Sequence, residues 1–191
     1  MTANSNFKKH LEEISALLDR VSDEMVGRVE TASELTLQSI LSGKKVIAFG
    51  NGGSAADASH FAGEFVGRFR RDRRALPAIS LSAETVSVTA IGNDFGFEQI
   101  FERQIEAFGI QDDIAIGITT SGSSKNVLRA LQKAKEQGLA AVALTGELGL
   151  KEDIQCDCII SVPSKITYEI QELHKIILHS ICDYVEAAMI Q

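Results

Sequence analysis

Two side chains that could do acid–base or metal chemistry stand close together in the first half of the chain. His60 and Glu64 are four residues apart, and in a helix this spacing places both on one face. An imidazole and a carboxylate on one face can transfer protons or bind a metal ion. His60 and Glu64 are therefore the first candidates for catalytic or metal-ligating residues.

A glycine-rich loop precedes this pair. Gly50, Gly52 and Gly53 follow an apolar run and let the backbone turn sharply and approach a ligand. We predict that Ser54 is the N-cap of the next helix, whose first amides would form an anion site. The loop lacks the third glycine of a dinucleotide fingerprint and the lysine of a Walker loop, which argues against nucleotide binding. An anion site beside an acid–base pair indicates an enzyme that acts on a phosphorylated small molecule.

A second polar loop follows a later apolar run. The segment 119–124 holds five hydroxyl side chains and one glycine at a predicted strand-to-helix turn. Hydroxyl groups and a helix N-terminus together can bind a phosphate group without a lysine. A plain helix cap needs a single hydroxyl, so this number of hydroxyls favours a phosphate site over a cap.

Two further polar segments carry weaker signals. The segment 92–96 has Asn93 and Asp94 between glycines, which is typical of a turn. If this segment lies in the same pocket as the two loops above, Asp94 could orient sugar hydroxyls or a histidine. Five arginines lie between Arg68 and Arg74; we interpret most of them as a solvated face and consider only Arg68 for ligand contact.

The last predicted helix, 167–189, carries more polar candidates. Gln171 and His179 are eight residues apart, so they project from adjacent parts of one face. Two helices that each supply two polar side chains can form a four-ligand zinc site. Glutamine is an uncommon zinc ligand, however. The spacing alone therefore favours neither a zinc site nor an ordinary helix surface. His174 points elsewhere, and we interpret it as a surface or packing residue.

Composition excludes several classes of protein. The 191 residues carry a net charge of −7, which argues against a broad nucleic-acid-binding face. No window approaches the roughly 20 apolar residues of a membrane span, and the N-terminus has no signal-peptide pattern. The three cysteines are interpreted as reduced packing residues. We therefore expect a cytoplasmic protein that binds neither nucleic acid nor membrane.

The apolar runs predict the fold. From Lys45 onward, short continuous apolar runs alternate with helical stretches, as is typical of strands buried on both faces of a parallel sheet. We expect an α/β fold, with a doubly wound five-stranded parallel sheet flanked by helices and ligands bound outside the carboxyl ends of the strands. The predicted strands are 46–49, 78–81, 114–118, 141–144 and 158–162, and the predicted helices between them are 54–69, 97–108, 123–137 and a short one near 147–153.

No linker or internal repeat divides the chain, so we expect residues 1–191 to form one domain. Its parts are an N-terminal helical segment, 1–43, and an α/β sandwich, 44–191. Residues 5–42 have apolar side chains at helical spacing, which predicts two helices or one kinked helix. The apolar faces of these helices need a cover, which another subunit of a homo-oligomer would provide.

Taken together, the motifs resemble the sugar isomerase (SIS) family and, within it, the phosphoheptose isomerases. The resemblance covers nearly the whole chain, and its motifs are specific in combination. The matching segments are Gly50-Asn-Gly-Gly-Ser-Ala-Ala-Asp-Ala-x-His60-x-Ala-x-Glu64, Gly92-Asn-Asp-Phe-Gly-Phe97, Thr120-Ser-Gly-x-Ser124, and Ile170-Gln-Glu-x-His174 followed by His179. One residue departs from the pattern: Glu169 stands where this family commonly has arginine.

The resemblance implies conversion of sedoheptulose 7-phosphate, a phosphorylated seven-carbon sugar, to D-glycero-D-manno-heptose 7-phosphate. This is the first step of bacterial ADP- or GDP-heptose synthesis for lipopolysaccharide or surface glycans. The resemblance also implies a homotetramer whose active sites use residues from neighbouring subunits, with Glu64 and His179 as catalytic residues. One zinc ion per subunit would be bound by His60, Glu64, Gln171 and His179. The implied substrate-binding residues are Asn51, Gly52, Gly53, Ser54, Glu64, Asn93, Asp94, Thr119, Thr120, Ser121, Ser124 and Gln171.

Two alternatives remain open on the same scaffold. A relative that binds the replication initiator protein lacks the residues that correspond to Glu64 and His179, and both are present here. Another sugar-phosphate reaction, such as amino-sugar phosphate isomerisation, stays open because of Glu169. A sugar-sensing regulator would need a DNA-binding domain, which the sequence does not predict.

Overall fold

The computed structural model describes residues 3–190, with side chains from residue 5 onward. Residues 1, 2 and 191 lie outside the described residues. They are the two ends of the predicted domain, and residues 1 and 2 belong to the N-terminus that was searched for a signal peptide. No helix of the described part is long and apolar enough to cross a membrane. In chain order the elements are α1 (Ala3–Leu18), α2 (Asp23–Leu41), β1 (Val46–Gly50), α3 (Gly53–Val66), β2 (Ala78–Ser80), α4 (Thr85–Phe95), a 3-10 turn (Phe97–Gln99), α5 (Glu102–Phe108), β3 (Ile114–Thr119), α6 (Lys125–Glu136), β4 (Ala140–Thr145), β5 (Cys158–Ser161) and α7 (Thr167–Met189).

The strands form one parallel sheet in the order β2-β1-β3-β4-β5. Strands β1 and β3 are buried along their whole length, because helices cover both faces of the sheet. Helices α2, α3 and α7 pack against one face, and α5 and α6 pack against the other. The predicted doubly wound α/β fold is confirmed, and the predicted strands agree with the observed ones to within one residue at each end.

The loops after β1 and β3 lie at the point where the sheet changes winding direction. These two strands are neighbours, with Gly50 opposite Ile118. The chain then enters α3 on one face and α6 on the other. Such a switch point opens a crevice at the carboxyl ends of the strands, where α/β proteins bind their ligands.

The N-terminal segment forms two helices, as one of the two sequence interpretations proposed. Ser22 is the N-cap of the second helix, α2. Its hydroxyl oxygen accepts a hydrogen bond from the Met25 amide at 3.2 Å, as is typical of a capping serine. On α1, Phe7 is 63% exposed and Leu11 is 52% exposed. These two side chains are four residues apart and share one helix face, so the structure leaves an uncovered apolar stripe on α1.

Two local predictions were wrong. Residues 92–96 were predicted to form a turn, but most of them lie in α4, which the apolar pattern did not predict because none of its residues is buried. The short helix near 147–153 does not form. Gly149 has a φ of +65° there, a left-handed conformation that interrupts a right-handed helix.

His174 lies in the core, which confirms its interpretation as a packing residue. It is fully buried, and its Nε2 lies 3.1 Å from the carbonyl oxygen of Thr145 at the end of β4. Because a carbonyl can only accept, Nε2 donates this hydrogen bond, and Nδ1 has no hydrogen-bond partner. Burial lowers the pKa of His174 to about 4, so a neutral imidazole joins α7 to β4.

We expect His174 to make the protein less stable in acid. Its pKa of about 4 in the folded protein is below its ordinary value of 6.5, so the unfolded chain takes up a proton first as the pH falls. The stabilisation is complete above pH 6.5 and is lost progressively toward pH 4, by roughly 3 kcal/mol. Urea unfolding between pH 4 and 7 should show a shallower pH dependence for His174→Gln than for the wild type.

The matched control for this experiment is His10→Gln, which alters a half-buried histidine on α1. The His10 variant should keep the pH dependence of the wild type. Equal slopes for the wild type and His174→Gln would contradict the assignment of this acid sensitivity to His174.

Candidate active site

Helices α3 and α7 bring three predicted site residues together. His60 Nε2 lies 2.8 Å from Glu64 Oε1 and 3.4 Å from His179 Nε2. We call these three residues the His–Glu–His cluster. Their ligand atoms all lie within 4.8 Å of one another, and no other group of three or more His, Cys, Asp or Glu side chains among the described residues meets that condition.

The surroundings of His179 favour the neutral form of its imidazole. Phe69, in the loop after α3, places its ring 5.2 Å from the His179 ring. Burial lowers the pKa of His179, and the neighbouring His60 lowers it further. A neutral imidazole can accept a proton or bind a metal ion. His60 itself is exposed, so the cluster can be reached from solvent.

The donor set of the cluster fits a zinc ion. Zinc is bound by imidazole nitrogens and carboxylate oxygens, and catalytic zinc sites use three protein ligands and leave one position open. The cluster offers two imidazoles and one carboxylate, already within 4.8 Å of one another. This arrangement can therefore hold a metal ion and still admit an oxygen of a substrate.

Gln171 lies elsewhere on α7. Its amide packs on Gly53, where a Cβ would collide with it. Gln171 and His179 are separated by eight residues of one helix, which is about 12 Å of rise. Between them Lys175 pairs with Asp57 at 3.6 Å. Within one copy of the chain Gln171 does not join the cluster, and its role as a zinc ligand stays a prediction.

The loop after β1 leaves the start of α3 without a side-chain cap. The prediction that Ser54 caps α3 was wrong: the N-cap is Gly52, and Ser54 lies buried in the first turn. Gly52 has a φ of +55°, which favours glycine. No side chain caps α3, so its first amides have no side-chain acceptor, as an anion site requires.

Asn51 is held by a partner that the sequence analysis missed. Each amide nitrogen of Asn51 and Asn126 lies 2.9 Å from the amide oxygen of the other. Asn126 is buried in the first turn of α6, where its Oδ1 also accepts a hydrogen bond from the Val127 amide at 2.9 Å. This pair ties the loop after β1 to the first turn of α6. The one available signal was the position of Asn126, two residues after the predicted phosphate loop.

The hydroxyls of the loop after β3 face one another. Thr119 Oγ1 lies 3.0 Å from Ser124 Oγ and 3.5 Å from Ser121 Oγ, and Thr120 is half-buried in the same loop. Gly122 has a φ of +66°, and a Cβ there would collide with a carbonyl of the loop after β4. Ser124 is the N-cap of α6, but its side chain makes no capping hydrogen bond. The hydroxyls are therefore grouped at a helix N-terminus, as a phosphate site requires.

Asn93 and Asp94 lie near the C-terminal end of α4, with both side chains exposed. Asn93 Nδ2 donates a hydrogen bond to Asp94 Oδ1 at 2.7 Å. The structure thus places these two predicted substrate contacts next to each other on an exposed helix.

Glu169, the departure noted in the sequence, supports the start of α7. It is buried and accepts a hydrogen bond from Ser164 Oγ at 2.5 Å. Ser164 Oγ in turn accepts a hydrogen bond from the Ile166 amide at 3.0 Å. Glu169 therefore fixes the turn that leads into α7, ten residues before His179.

Comparison with known proteins identifies the family. The SIS domain family matches residues 9–146, and the chain belongs to this family. Its relatives place it in the phosphoheptose isomerase branch. The phosphoheptose isomerase of Nitratiruptor sp. is 45% identical over 95% of this chain and 97% of its own length. That of Aneurinibacillus thermoaerophilus is 44% identical over 97% of this chain and 95% of its own length.

Solved structures agree with this assignment. The phosphoheptose isomerase of Neisseria gonorrhoeae has a TM-score of 0.87 and 36% identity, covering 97% of this chain and 100% of that chain. The phosphoheptose isomerase of Francisella tularensis has a TM-score of 0.90 and 33% identity, covering 98% of this chain and 100% of that chain. The shared fold therefore includes the N-terminal helices as well as the α/β sandwich.

The Asn51–Asn126 pair should be energetically coupled. Asn51→Ala and Asn126→Ala should each lower the free energy of unfolding by about 1–3 kcal/mol, because each leaves a partner amide unpaired. The double variant should lose about 1 kcal/mol less than the sum of the two. Urea denaturation of the four proteins measures this coupling.

The exposed Asn93→Ala serves as the control and should change the free energy of unfolding by less than about 0.5 kcal/mol. Strictly additive losses in the double variant would show that the two asparagines act independently.

Proposed function

We propose that this chain converts sedoheptulose 7-phosphate to D-glycero-D-manno-heptose 7-phosphate. The observation that carries the proposal is the convergence of Glu64 and His179 on His60, from two helices far apart in sequence. Similarity to phosphoheptose isomerases over nearly the whole chain supports it. The residues and the fold thus favour the same aldose–ketose isomerisation.

The reaction moves protons between adjacent carbons. A base removes a proton from C1 while the oxygen on C2 gains one, which forms an enediol. C2 then gains a proton while the oxygen on C1 loses one. We assign these transfers to Glu64 and His179. The lowered pKa of His179 keeps its imidazole available as a proton acceptor near neutral pH.

We also propose one zinc ion per subunit at the His–Glu–His cluster. The three donors fit such an ion. When bound, zinc would polarise the sugar carbonyl and stabilise negative charge on the oxygens of the reacting carbons. Glu64 would serve both as a ligand and in proton transfer.

The substrate would occupy the crevice at the carboxyl ends of β1 and β3. We assign the sugar chain to residues 51–54 together with Asn93 and Asp94, and to Glu64 and Gln171. The phosphate is assigned to the hydroxyl cluster at the N-terminus of α6, because that cluster has grouped donors. The phosphate-binding residues in this proposal are Thr119, Thr120, Ser121 and Ser124.

A homotetramer with shared active sites would complete this arrangement. The exposed stripe of Phe7 and Leu11, and helix α4 without a buried residue, are surfaces that other subunits would cover. Gln171 lies too far along α7 to reach the cluster of its own subunit. We therefore propose that Gln171 of one subunit approaches the cluster of another.

We place this activity in the cytoplasm, at the first step of ADP- or GDP-heptose synthesis for lipopolysaccharide or surface glycans. Residues 1–191 would act as one domain. We propose no nucleic-acid or membrane partner. The alternative of an initiator-binding protein gains no support from the relatives found. The alternative of another sugar-phosphate reaction rested on Glu169. Its buried hydrogen bond to Ser164 gives this residue a structural role instead.

Removal of either proposed acid–base group should abolish isomerisation. Glu64→Gln and His179→Gln should each lower the rate of aldose formation from sedoheptulose 7-phosphate by at least about 100-fold, since such groups typically contribute ~10²–10⁴-fold. Circular dichroism should show intact folding. The exposed Glu106→Gln and the α1 variant His10→Gln are the controls, and near-normal activity in either site variant would disprove its assignment.

Shared active sites should allow two inactive variants to complement each other. Gln171→Ala and Glu64→Gln should each be inactive alone. Mixed tetramers, formed by unfolding and refolding the two together, should regain activity in sites that combine Glu64 of one subunit with Gln171 of another. Separately refolded variants, mixed afterwards, are the control. Activity no higher in mixed tetramers would show that both residues serve the site of a single subunit.

A further inference from the structure

A buried carboxylate on α7 plays no part in the chemistry described above. Glu186 lies two turns after His179 and is 1% exposed. Its oxygens accept hydrogen bonds from the backbone amides of Phe69, Arg70 and Arg71 at 3.0, 2.8 and 2.8 Å. These residues are consecutive in the loop that follows α3. One side chain of α7 therefore holds the loop that follows the C-terminal end of α3.

Arg73 joins the same contact from the loop side. Its side chain is 4% exposed, and Nε lies 3.3 Å from Glu186 Oε1. Its guanidinium donates to the carbonyl oxygens of Glu64 at 2.7 Å and Phe65 at 2.9 Å, in the last turn of α3. The prediction of a solvated arginine face was therefore wrong for Arg73. We call Glu186, Arg73 and the amides of residues 69–71 the Glu186 clamp.

The charge of Glu186 is stabilised within the clamp. Burial raises the pKa of this carboxyl, but the hydrogen bonds from the amides of Arg70, Phe69 and Arg71 and the charge of Arg73 outweigh it, so the pKa lies below its usual value. The carboxylate is thus ionised at neutral pH, and its hydrogen bonds are of the strong, charge-assisted kind.

The clamp touches the His–Glu–His cluster on two sides. Phe69 is the first residue of the clamped loop, and its ring packs 5.2 Å from that of His179. Arg73 holds the backbone carbonyl of Glu64 itself. Loss of the clamp would free both the Phe69 ring that packs on His179 and the last turn of α3. The three residues of the cluster would themselves be unchanged.

We propose that Glu186 is a positioning residue for the His–Glu–His cluster. It lies outside the cluster itself, and it fixes the loop and the helix end that orient His179 and Glu64. The inference rests on the metal-binding role proposed above. Partners that orient metal ligands typically affect metal affinity by 10–100-fold when they are lost, which sets the size of the expected effect.

The test measures zinc affinity instead of activity. The metal-free protein is titrated with zinc in competition with a chromophoric chelator, and Glu186→Gln is compared with the wild type. This variant keeps the size of the side chain but places an N–H group against backbone N–H donors. We expect its zinc affinity to fall by about 10–100-fold, and hydrogen exchange at the amides of residues 69–71 to become faster.

Two further variants isolate the role of the carboxylate. Asp183→Asn is the matched control: Asp183 lies one turn earlier on α7 and contacts the side chains of Arg70 and Arg71 at 3.6 and 3.7 Å, not the loop amides. The zinc affinity of the Asp183→Asn variant should equal that of the wild type. Glu186→Asp restores the charge on a shorter side chain and should recover part of the affinity.

The outcomes separate positioning from a purely structural role. A lower unfolding temperature of metal-free Glu186→Gln with unchanged zinc affinity would overturn the inference. If that variant does not fold, Phe69→Ala tests the same contact with the clamp intact, and wild-type zinc affinity in it would overturn the inference. A wild type that binds no zinc would refute the metal proposal itself, whereas wild-type binding matched by Glu186→Gln would refute the positioning role alone.

Discussion

The packing of α3 against α7 on one face of the sheet is the constraint on which the candidate site depends. Apolar side chains of both helices, among them Phe61 and Leu178, are buried in one core. This packing sets the relative position of His60 and His179, which are 119 residues apart in sequence. A shift of one helix past the other by a single turn, about 5.4 Å, would separate them, so the core and the chemistry are stabilised by the same contacts.

The other half of the site depends on the switch point of the sheet. Because α3 and α6 leave neighbouring strands toward opposite faces, their N-termini lie on either side of one crevice. The Asn51–Asn126 hydrogen bonds hold the loop after β1 to the first turn of α6. The donors there are amides and hydroxyls, and the adjacent Lys125 pairs with Glu98 at 3.0 Å. A chain of net charge −7 can still hold a phosphate in this way, since charges beyond about 8 Å are largely screened at physiological salt.

Much of this organisation could be predicted from the sequence because it depends on local patterns. Continuous apolar runs marked the strands, and the spacing of His60 and Glu64 marked one face of α3. Helix α4 escaped prediction because none of its residues is fully buried. Only Val88 and Ile91, one turn apart, pack partly buried against the core, which is a weak apolar pattern. Ser54 was misplaced as a cap by two residues, since Gly52, with its positive φ, starts the helix earlier than residue preferences indicate.

The sequence by itself determined the fold class and the set of chemical groups at the site, because burial patterns and glycine and hydroxyl motifs are local properties. Only the tertiary structure decided which of those groups meet. His179 reaches His60 and Glu64, whereas Gln171 on the same helix packs on Gly53, because helix rise separates them by about 12 Å. The Glu186 clamp has no sequence signature either, since a carboxylate and backbone amides more than 100 residues apart become partners only when α7 packs beside the exit of α3.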